Sequence, residues 1–176
     1  GMRLLAGDAD LQLVGPRDGF DEAVFAQLAA RPEVAAASPV LEVEARLPGR
    51  DDNLRILGVD LFRVLRVQPG LIPLADRAAT DDGRFAALEP DNVFLTDDAR
   101  ARLAEPHRGM DGALQPPALS DGKLRVQSGV QGFSLDVAGR VPGAAGVLGV
   151  MDIGGAQQRF GRGGVLSRVD LKLVDG

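Results

Sequence analysis

The chain has 176 residues, of which 45% are hydrophobic and 4% aromatic, and its formal net charge is −5 at pH 7. This length suits one domain, or one domain that carries an inserted lobe. The acidic charge argues against nucleic acid as a partner, because nucleic-acid binding needs a basic surface. The absence of cysteine excludes disulfides, thiol chemistry and cysteine-ligated metals, and it fits an extracytoplasmic location.

The first third of the chain predicts a β-α-β-β arrangement. Asp10–Val14 alternates as a strand does, and a helix is predicted to follow from a cap at Asp21 to about Arg31. Leu41–Leu47 alternates most clearly, which predicts a strand with one buried and one wet face. A polar turn then leads to Leu54–Asp60, which is predicted to return as the second arm of a hairpin.

The middle of the chain is less regular. From about Leu61 prolines and an Asp-Asp-Gly run interrupt the pattern, and no fold is predicted for residues 61–90. The elements predicted further on are a strand at Asn92–Leu95, a helix at Asp97–Ala104 after a Thr96 cap, a loop at His107–Gly122, and hairpin strands at Lys123–Ser128 and Gly132–Val137. A less regular stretch between two regular ones indicates an insertion.

A second β-α-β unit is predicted at the end of the chain. Val147–Met151 is a short apolar strand, Asp152–Phe160 a short helix, and Leu166–Val174 an alternating strand. Asp152 suits the N-cap, because its carboxylate can accept from the first turn, and Gly161 suits the left-handed position after the helix.

The predicted fold class is therefore α+β, with two β-α-β units that share one sheet, because neither helix can bury its apolar stripe alone. Residues 3–61 and 144–176 are assigned to this discontinuous lobe, and residues 62–143 to a smaller inserted α+β lobe. Gly1-Met2 is typical of a cleaved expression tag followed by a start residue, so the chain is interpreted as a piece of a longer protein.

Two patterns could carry hydrolytic chemistry, and both have a simpler explanation. Ser120-Asp121-Gly122-Lys123 matches the S-x-x-K nucleophile motif, but its central Asp-Gly and the strand after it predict a polar turn instead of a helix start. His107 is the only histidine and could act as a general base, but it lies in a loop rich in proline and glycine. An extracytoplasmic hydrolase or peptidase that uses Ser120, Lys123 or His107 is therefore kept as an alternative.

Acidic pairs and glycines give no complete metal or phosphate motif. The acidic pairs are Asp8/Asp10, Asp51-Asp52, Asp81-Asp82 and Asp97-Asp98. Calcium prefers such oxygen ligands, but none of the pairs has a twelve-residue loop with a closing glutamate. Gly161–Gly164 follows a helix, whereas a phosphate loop precedes one, so these glycines predict a helix stop. We therefore predict no catalytic, cofactor-binding or metal-ligating residue and no cofactor.

Met151–Leu173 resembles the end of the extracytoplasmic domain of ABC-transporter permeases of the MacB/FtsX-like class. In that class an apolar strand leads into an M-D-[IL]-x-x-A-Q-x-x-[FL] helix, a glycine-rich turn and an R-[IV]-D-L strand. The matching residues are Met151, Asp152, Ala156, Gln157, Phe160, Gly161, Arg168, Val169, Asp170 and Leu171. Leu54–Asp60 is similar to the V-x-G-[VI]-D strand of these domains, whereas Gly154-Gly155 departs from the pattern, since bulkier residues are usual there.

The resemblance implies a porter-like lobe that carries a second lobe, often named sabre, and no catalytic residue. It places the domain between the first and second membrane helices of a permease in the cell inner membrane, on the periplasmic side. The partners implied are these flanking membrane helices, an ATPase as a separate cytoplasmic protein or domain, and a periplasmic partner protein or lipoprotein. The implied role is to couple ATP-driven motion of the membrane helices to export, lipoprotein release or partner activation.

Each hypothesis makes a structural prediction. A permease domain needs the start of Asp10–Val14 and the end of Leu166–Val174 at the same edge, because both must enter one membrane. A hydrolase that uses Ser120, Lys123 or His107 would be excluded by a structure in which these groups are scattered and solvated. A soluble ligand-binding module, the third alternative, needs a deep apolar pocket with convergent polar groups.

Overall fold

A computed structural model of the chain describes residues 3–5, 9–76 and 85–175. The fold is α+β, as predicted, and a large mixed sheet dominates it. The described elements are β1 (Arg3–Leu5), β2 (Leu11–Val14), β3 (Phe20–Asp21), α1 (Ala23–Ala29), β4 (Val34–Arg46), β5 (Asn53–Val59), α2 (Leu61–Val67), β6 (Leu74–Ala75), β7 (Asn92–Leu95), α3 (Asp97–Leu103), β8 (His107–Arg108), β9 (Leu114–Gln115), β10 (Leu119–Ser120), β11 (Lys123–Ser128), β12 (Gln131–Arg140), β13 (Leu148–Asp152), α4 (Ile153–Arg159), β14 (Val165–Leu166) and β15 (Arg168–Leu173), with 3₁₀ turns at Pro69–Leu71 and Ala86–Leu88.

The two predicted β-α-β units are both present and share this sheet. Its strand order is β1-β2-β15-β4-β5-β13-β7-β12-β11-β10, with β6 beside β12. β15 lies between β2 and β4, and β4 and β5 lie between β13 and β15. Each unit is therefore split by strands of the other, so that neither can form its part of the sheet alone.

Strands of the predicted insertion join the same sheet. β7 pairs antiparallel with β13, β12 pairs parallel with β7, and β11 pairs with β12. One further pair, Gln127 opposite Arg46, joins β11 back to β4. These strands enclose a core to which α3 and α4 contribute. The division at residues 62 and 143 stays a prediction.

The start of β2 lies beside the end of β15, as the permease hypothesis predicted. The two strands are antiparallel, with Leu11 opposite Leu171. The Asp10 N–H donates to the Leu171 carbonyl at 3.0 Å, and the Leu173 N–H donates to Asp10 Oδ2 at 2.9 Å. The two strands that would lead to membrane helices therefore meet at one end of the sheet.

β4 is longer than predicted, because its first half gives no alternating pattern. The strand has 13 residues and includes Val34–Val40, which pairs with β15, while its second half pairs with β5. Pro39 is tolerated because the residues on either side of it make the hydrogen bonds to β15. The Pro39 nitrogen, which carries no hydrogen to donate, faces the opposite edge of β4, where β5 has already ended at Val59.

The ends of α4 are formed as predicted. Asp152 Oδ2 accepts from the Gly155 N–H at 3.0 Å. Gly161 has φ +65°, and the Arg162 N–H donates to the Gln157 carbonyl at 2.7 Å, which is the hydrogen bond of a Schellman motif.

Two glycines let α4 pack closely. A Cβ on Gly155 would lie 2.3 Å from the carbonyl oxygen of Pro90, and one on Gly58 of β5 would lie 2.7 Å from the Cβ of Ala156. The close contact that explains Gly155 is thus with the Pro90 backbone, while Gly58 provides the close contact with the sheet. Gly154 is exposed.

Three local predictions were incomplete or wrong. Residues 61–90 contain α2, whose N-cap Asp60 accepts from two backbone N–H groups; its apolar residues lie on more than one side, so no stripe revealed it. The predicted loop His107–Gly122 contains β8, β9 and β10, which are too short to show an alternating pattern. α1 begins at Ala23, where Asp21 accepts from the first N–H but lies in β3.

Candidate functional site

The S-x-x-K residues form a hairpin turn. Ser120 pairs with Lys123 across the β10–β11 turn. Asp121 and Gly122 between them have φ of +55° and +72°, as in a two-residue type I′ turn. The Lys123 ammonium pairs with the Asp136 carboxylate, and among the described residues no side-chain hydrogen bond joins Ser120 to Lys123 or His107. This geometry offers no activated nucleophile.

His107 lies beside the β4–β5 turn. Its Nε2 is 2.8 Å from Asp51 Oδ1, and with Asp52 they form a cluster of potential metal ligands within 4.8 Å. Asp52, however, is held by Arg50 through two hydrogen bonds of 2.8 Å and lies 3.5 Å from Arg102. The hydrogen bonds from Arg50 lower the pKa of Asp52. Two guanidinium groups thus supply the positive charge that a cation would bring.

Asp97, Asp98 and Asp10, the described members of the other acidic pairs, have structural roles. Asp97 and Asp98 lie in the first turn of α3, where negative charge is favoured by the helix dipole. Asp10 binds the end of β15. Asp8, Asp81 and Asp82 lie outside the described residues.

A surface cleft of about 500 Å³ lies beside the second half of β4, where strands from the two outer edges of the sheet approach each other. Its walls come from the end of β2, the second half of β4, the tip of the β11–β12 hairpin and the segment that enters β15. The lining residues are Val14, Gly15, Pro16, Arg17, Glu42, Val43, Glu44, Arg46, Gln127, Ser128, Gly129, Phe160, Arg162, Ser167 and Arg168. The cleft thus joins residues from both ends of the chain to the predicted insertion.

On one side of the cleft, pairing between β4 and β15 stops at Ser167. The Ser167 N–H donates to the Val40 carbonyl at 2.9 Å. Its hydroxyl accepts from the Glu42 N–H at 2.8 Å and donates to the Glu42 carbonyl at 3.3 Å. The serine side chain therefore replaces one residue of a neighbouring strand.

On the other side, β11 reaches β4 only at Arg46, opposite Gln127. Backbone groups of alternate residues in a strand point to the same edge. Since Glu42 and Arg46 are paired at this edge, the N–H and C=O of Glu44 also face it, between the two contacts. No partner for either group is found in the part of the chain that the structure describes, so the cleft contains a short open strand edge.

Positive charge predominates in the cleft, although the chain is acidic. Four arginines and two glutamates line it. Arg168 is buried and donates to Asp170 through Nε at 3.0 Å and Nη2 at 3.5 Å, while its Nη1 lies 3.8 Å from Glu42. Burial raises the pKa of Asp170 despite this partner. Arg17 and Arg46 are exposed and available to a bound carboxylate.

Sequence reasoning did not find the cleft. It predicted the wet face of β4 and the β11–β12 hairpin, but nothing local indicates that Gln127 meets Arg46. The matched Arg168 and Asp170 were the one available signal, since a charged pair on a strand needs a partner when it is buried.

The described helices are all too short or too polar to cross a membrane. No family model matches the chain, and no curated protein matches it. Among solved structures, the chain is similar to the extracellular domain of the noncanonical ABC-type transporter YknZ from Gram-positive bacteria. The TM-score is 0.53 and the identity 14%, over 92% of this chain and 76% of that one. The fold thus resembles that of a transporter extracellular domain.

Proposed function

We propose that this chain is the extracytoplasmic domain of an ABC-transporter permease of the MacB/FtsX-like class. It lies between two membrane helices of a permease in the cell inner membrane and faces the periplasm. An ATPase, as a separate cytoplasmic protein or domain, drives the helices, and the domain couples their motion to export, lipoprotein release or activation of a partner. Residues 3–61 and 144–176 are its porter-like lobe, and residues 62–143 its sabre-like insertion.

The observation that carries the proposal is the antiparallel pair of β2 and β15. Leu11 and Leu171 lie opposite each other at one end of the sheet, so that chain extended from both would enter the same membrane. The YknZ likeness and the residues matched in Met151–Leu173 support the same assignment.

The pairing of β1 with β2 conflicts with a membrane helix directly before β2. β1 pairs antiparallel with β2, which puts Arg3 opposite Val14, at the end away from Leu171. A membrane helix that precedes β2 requires residues before Asp10 to continue away from the sheet. We expect that β1 does not pair with β2 in the intact permease, and that its backbone amides exchange with deuterium as fast as those of an unpaired segment.

β15 is the element best suited to transmit motion. It is hydrogen-bonded on both sides, to β2 and β4. One end leads toward the proposed membrane helix, and the other contacts Glu42 through Ser167 and Arg168 at the cleft. A shift of β15 would therefore change the width of the cleft.

The cleft is the proposed contact for the periplasmic partner. Its open Glu44 backbone groups suit a short extended peptide, which would add to the strand edge, and its excess of arginines favours a peptide with carboxylates. We expect a peptide of alternating glutamate and valine to shift the Glu44 amide signal in NMR spectra of the domain, and Arg46→Glu to abolish the shift. A lysine–valine peptide that shifts the signal equally would contradict this specificity.

The topology itself is tested with one cysteine. The chain contains none, and Val130 is 97% exposed at the tip of the β11–β12 hairpin. In the full-length protein freed of other cysteines, Val130→Cys should react with a membrane-impermeant maleimide in intact spheroplasts.

The control for this experiment is a cytoplasmic protein with an exposed cysteine, which should react only after lysis. If Val130→Cys also reacts only after lysis, or if the full-length protein has no flanking apolar spans of about 20 residues, the permease proposal is wrong.

The enzyme alternative has less support. The Ser120 turn, the Lys123–Asp136 pair and the His107–Asp51 contact are three separate surface features. The cleft is open and lined by both charged and apolar side chains, whereas the ligand-binding module needs a deep apolar pocket.

A further inference from the structure

α2 exposes apolar side chains although it already packs against the sheet. Val64 and Val67 are buried, and Val64 packs in a cluster with Val40 and Val59. Phe62 and Leu65 remain 68% and 48% exposed. They are three residues apart and are therefore neighbours on the helix surface. A helix that needed only to cover the sheet would carry polar residues at these two positions.

Basic residues alternate with these apolar ones. Arg63 and Arg66 are both exposed, in a chain whose net charge is −5. The Arg63 guanidinium lies 4.9 Å from the centre of the Phe25 ring and 3.4 Å from Asp60. The outer surface of α2 thus combines an aromatic, an aliphatic and two cationic side chains, which is the composition of helices that lie in a membrane surface.

α2 is also at the appropriate end of the sheet. β5 and β15 are each antiparallel to β4 and therefore parallel to each other. α2 begins directly after β5 and contacts both β4 and β15. β5 ends at Val59, opposite Val40 and so level with Arg168 at the start of β15, and α2 follows it on the side toward which β15 runs. That is the side from which the proposed membrane helices depart.

We propose that α2 contacts the membrane surface, with Phe62 and Leu65 among the lipid headgroups and Arg63 and Arg66 on their phosphates. The inference rests on the proposed function, because it is the flanking membrane helices that bring α2 to the bilayer. The contact would fix the tilt of the sheet relative to the membrane and provide a pivot for motion of β15.

The chain has no tryptophan, so Phe62→Trp gives a single fluorescent reporter at an exposed position. The chain is tethered by a C-terminal hexahistidine tag to vesicles that contain nickel-chelating and anionic phospholipids. The tag takes the place of the membrane helix after β15. We expect the emission of the introduced tryptophan to move to shorter wavelength, and brominated lipids to quench it.

The matched control is Val130→Trp. Val130 is also an exposed apolar residue, and it adjoins Gly129 of the cleft, at the end of the sheet away from the tether. Its emission should be unchanged by the same vesicles. Leu65→Asp in the Phe62→Trp background should reduce the quenching to the level of this control, without loss of fold because about half of the Leu65 side chain is already exposed.

Charge provides a second measurement. Without the tether, Arg66→Gln should weaken binding to anionic vesicles roughly fivefold, the effect of one arginine near a charged membrane. Arg125→Gln, which changes an exposed arginine on β11, should not.

Two results would overturn the inference. One is equal emission and quenching for Phe62→Trp and Val130→Trp on tethered vesicles. The other is a blue shift of Phe62→Trp that depends on protein concentration without vesicles, which would assign α2 to contact between copies of the chain. Either can occur while Val130→Cys is labelled from outside, so failure of this inference is distinguishable from failure of the proposed topology.

Discussion

Two arginine–aspartate pairs in this protein have the same sequence spacing, but the pKa values of their aspartates shift in opposite directions. Arg168 and Asp170 lie on β15, and Arg50 and Asp52 lie in the β4–β5 turn. The turn pair makes two hydrogen bonds of 2.8 Å, whereas the strand pair makes one of 3.0 Å and one of 3.5 Å. The pKa of Asp52 is lowered, mainly by its bonds to Arg50, and that of Asp170 is raised, mainly by burial.

Backbone geometry accounts for the difference. Residues i and i+2 of a strand project in parallel from one face, about 7 Å apart, so a guanidinium cannot approach its neighbour's carboxylate squarely. A turn brings the two side chains around to face each other. The Arg-x-Asp spacing therefore stabilises the charged aspartate in the turn, while on the central strand it only offsets part of the cost of burial.

The largest expected effect comes from breaking the strand pair. Asp170→Ala leaves the Arg168 charge buried without its carboxylate, and we expect a loss of about 3–5 kcal/mol in unfolding free energy. Urea denaturation of the variant and the parent protein measures this difference.

A double variant distinguishes the effect of an unpaired charge from the effect of lost packing. Arg168→Met with Asp170→Leu removes both charges and should recover most of the loss, because two apolar residues need no partner. If the double variant is as unstable as Asp170→Ala, the loss comes from packing instead of from an unpaired charge.

Whether an element depends on local or on long-range contacts explains what the sequence could predict. The ends of α4 depend on residues within one turn, so Asp152 and Gly161 were sufficient to predict them. The β-α-β units were predicted for the same reason, since the alternation of β15 lies within the strand itself.

The first half of β4 and the cleft could not be predicted in this way. Most of Val34–Val40 is covered on both faces, which removes the alternation, and Pro39 counts locally against a strand. The edge at Glu44 is open because β15 stops at Ser167 and β11 arrives at Arg46, and both contacts join segments that are far apart in the chain.

The second prediction breaks the turn pair. Asp52→Ala removes the two hydrogen bonds that Arg50 donates to Asp52. The Arg50 side chain is only 3% exposed, but water can still reach the site through Asp52, which is 13% exposed. We expect a loss of about 1–3 kcal/mol, measured by urea denaturation. A loss equal to that of Asp170→Ala would show that burial does not distinguish the two pairs. Asp51→Ala, next to it in the same turn, serves as the control and should change stability less.

The third prediction uses pH to reveal the opposite signs. Asp52 stabilises the fold above its ordinary pKa of 3.8, and this contribution is lost as pH falls through its lowered folded pKa. Asp170 behaves in reverse: its penalty appears as pH rises from 3.8 through its raised folded pKa. Asp52→Asn should therefore flatten the acid side of the stability curve below about pH 4.

Asp170→Asn should instead remove the stability that the parent gains as pH is lowered from 7 toward 4. Unfolding curves over pH 2–7 give both effects. Identical pH profiles for the two variants would refute the assignment of opposite shifts.

The smallest effect, on Asp91 and Arg159, separates geometry from burial. The two hydrogen bonds of this pair, 2.6 and 2.7 Å long, are as short as those of the turn pair. Its side chains, however, are 44% and 41% exposed. The hydrogen bond from Arg159 lowers the pKa of Asp91, yet solvent and salt screen the attraction. Asp91→Asn should cost about 0.2–1 kcal/mol, and less still in 1 M salt. If Asp91→Asn costs as much as Asp52→Ala, hydrogen-bond geometry alone sets the strength of these pairs. If it costs clearly less, the burial of Arg50 contributes to the strength of the turn pair.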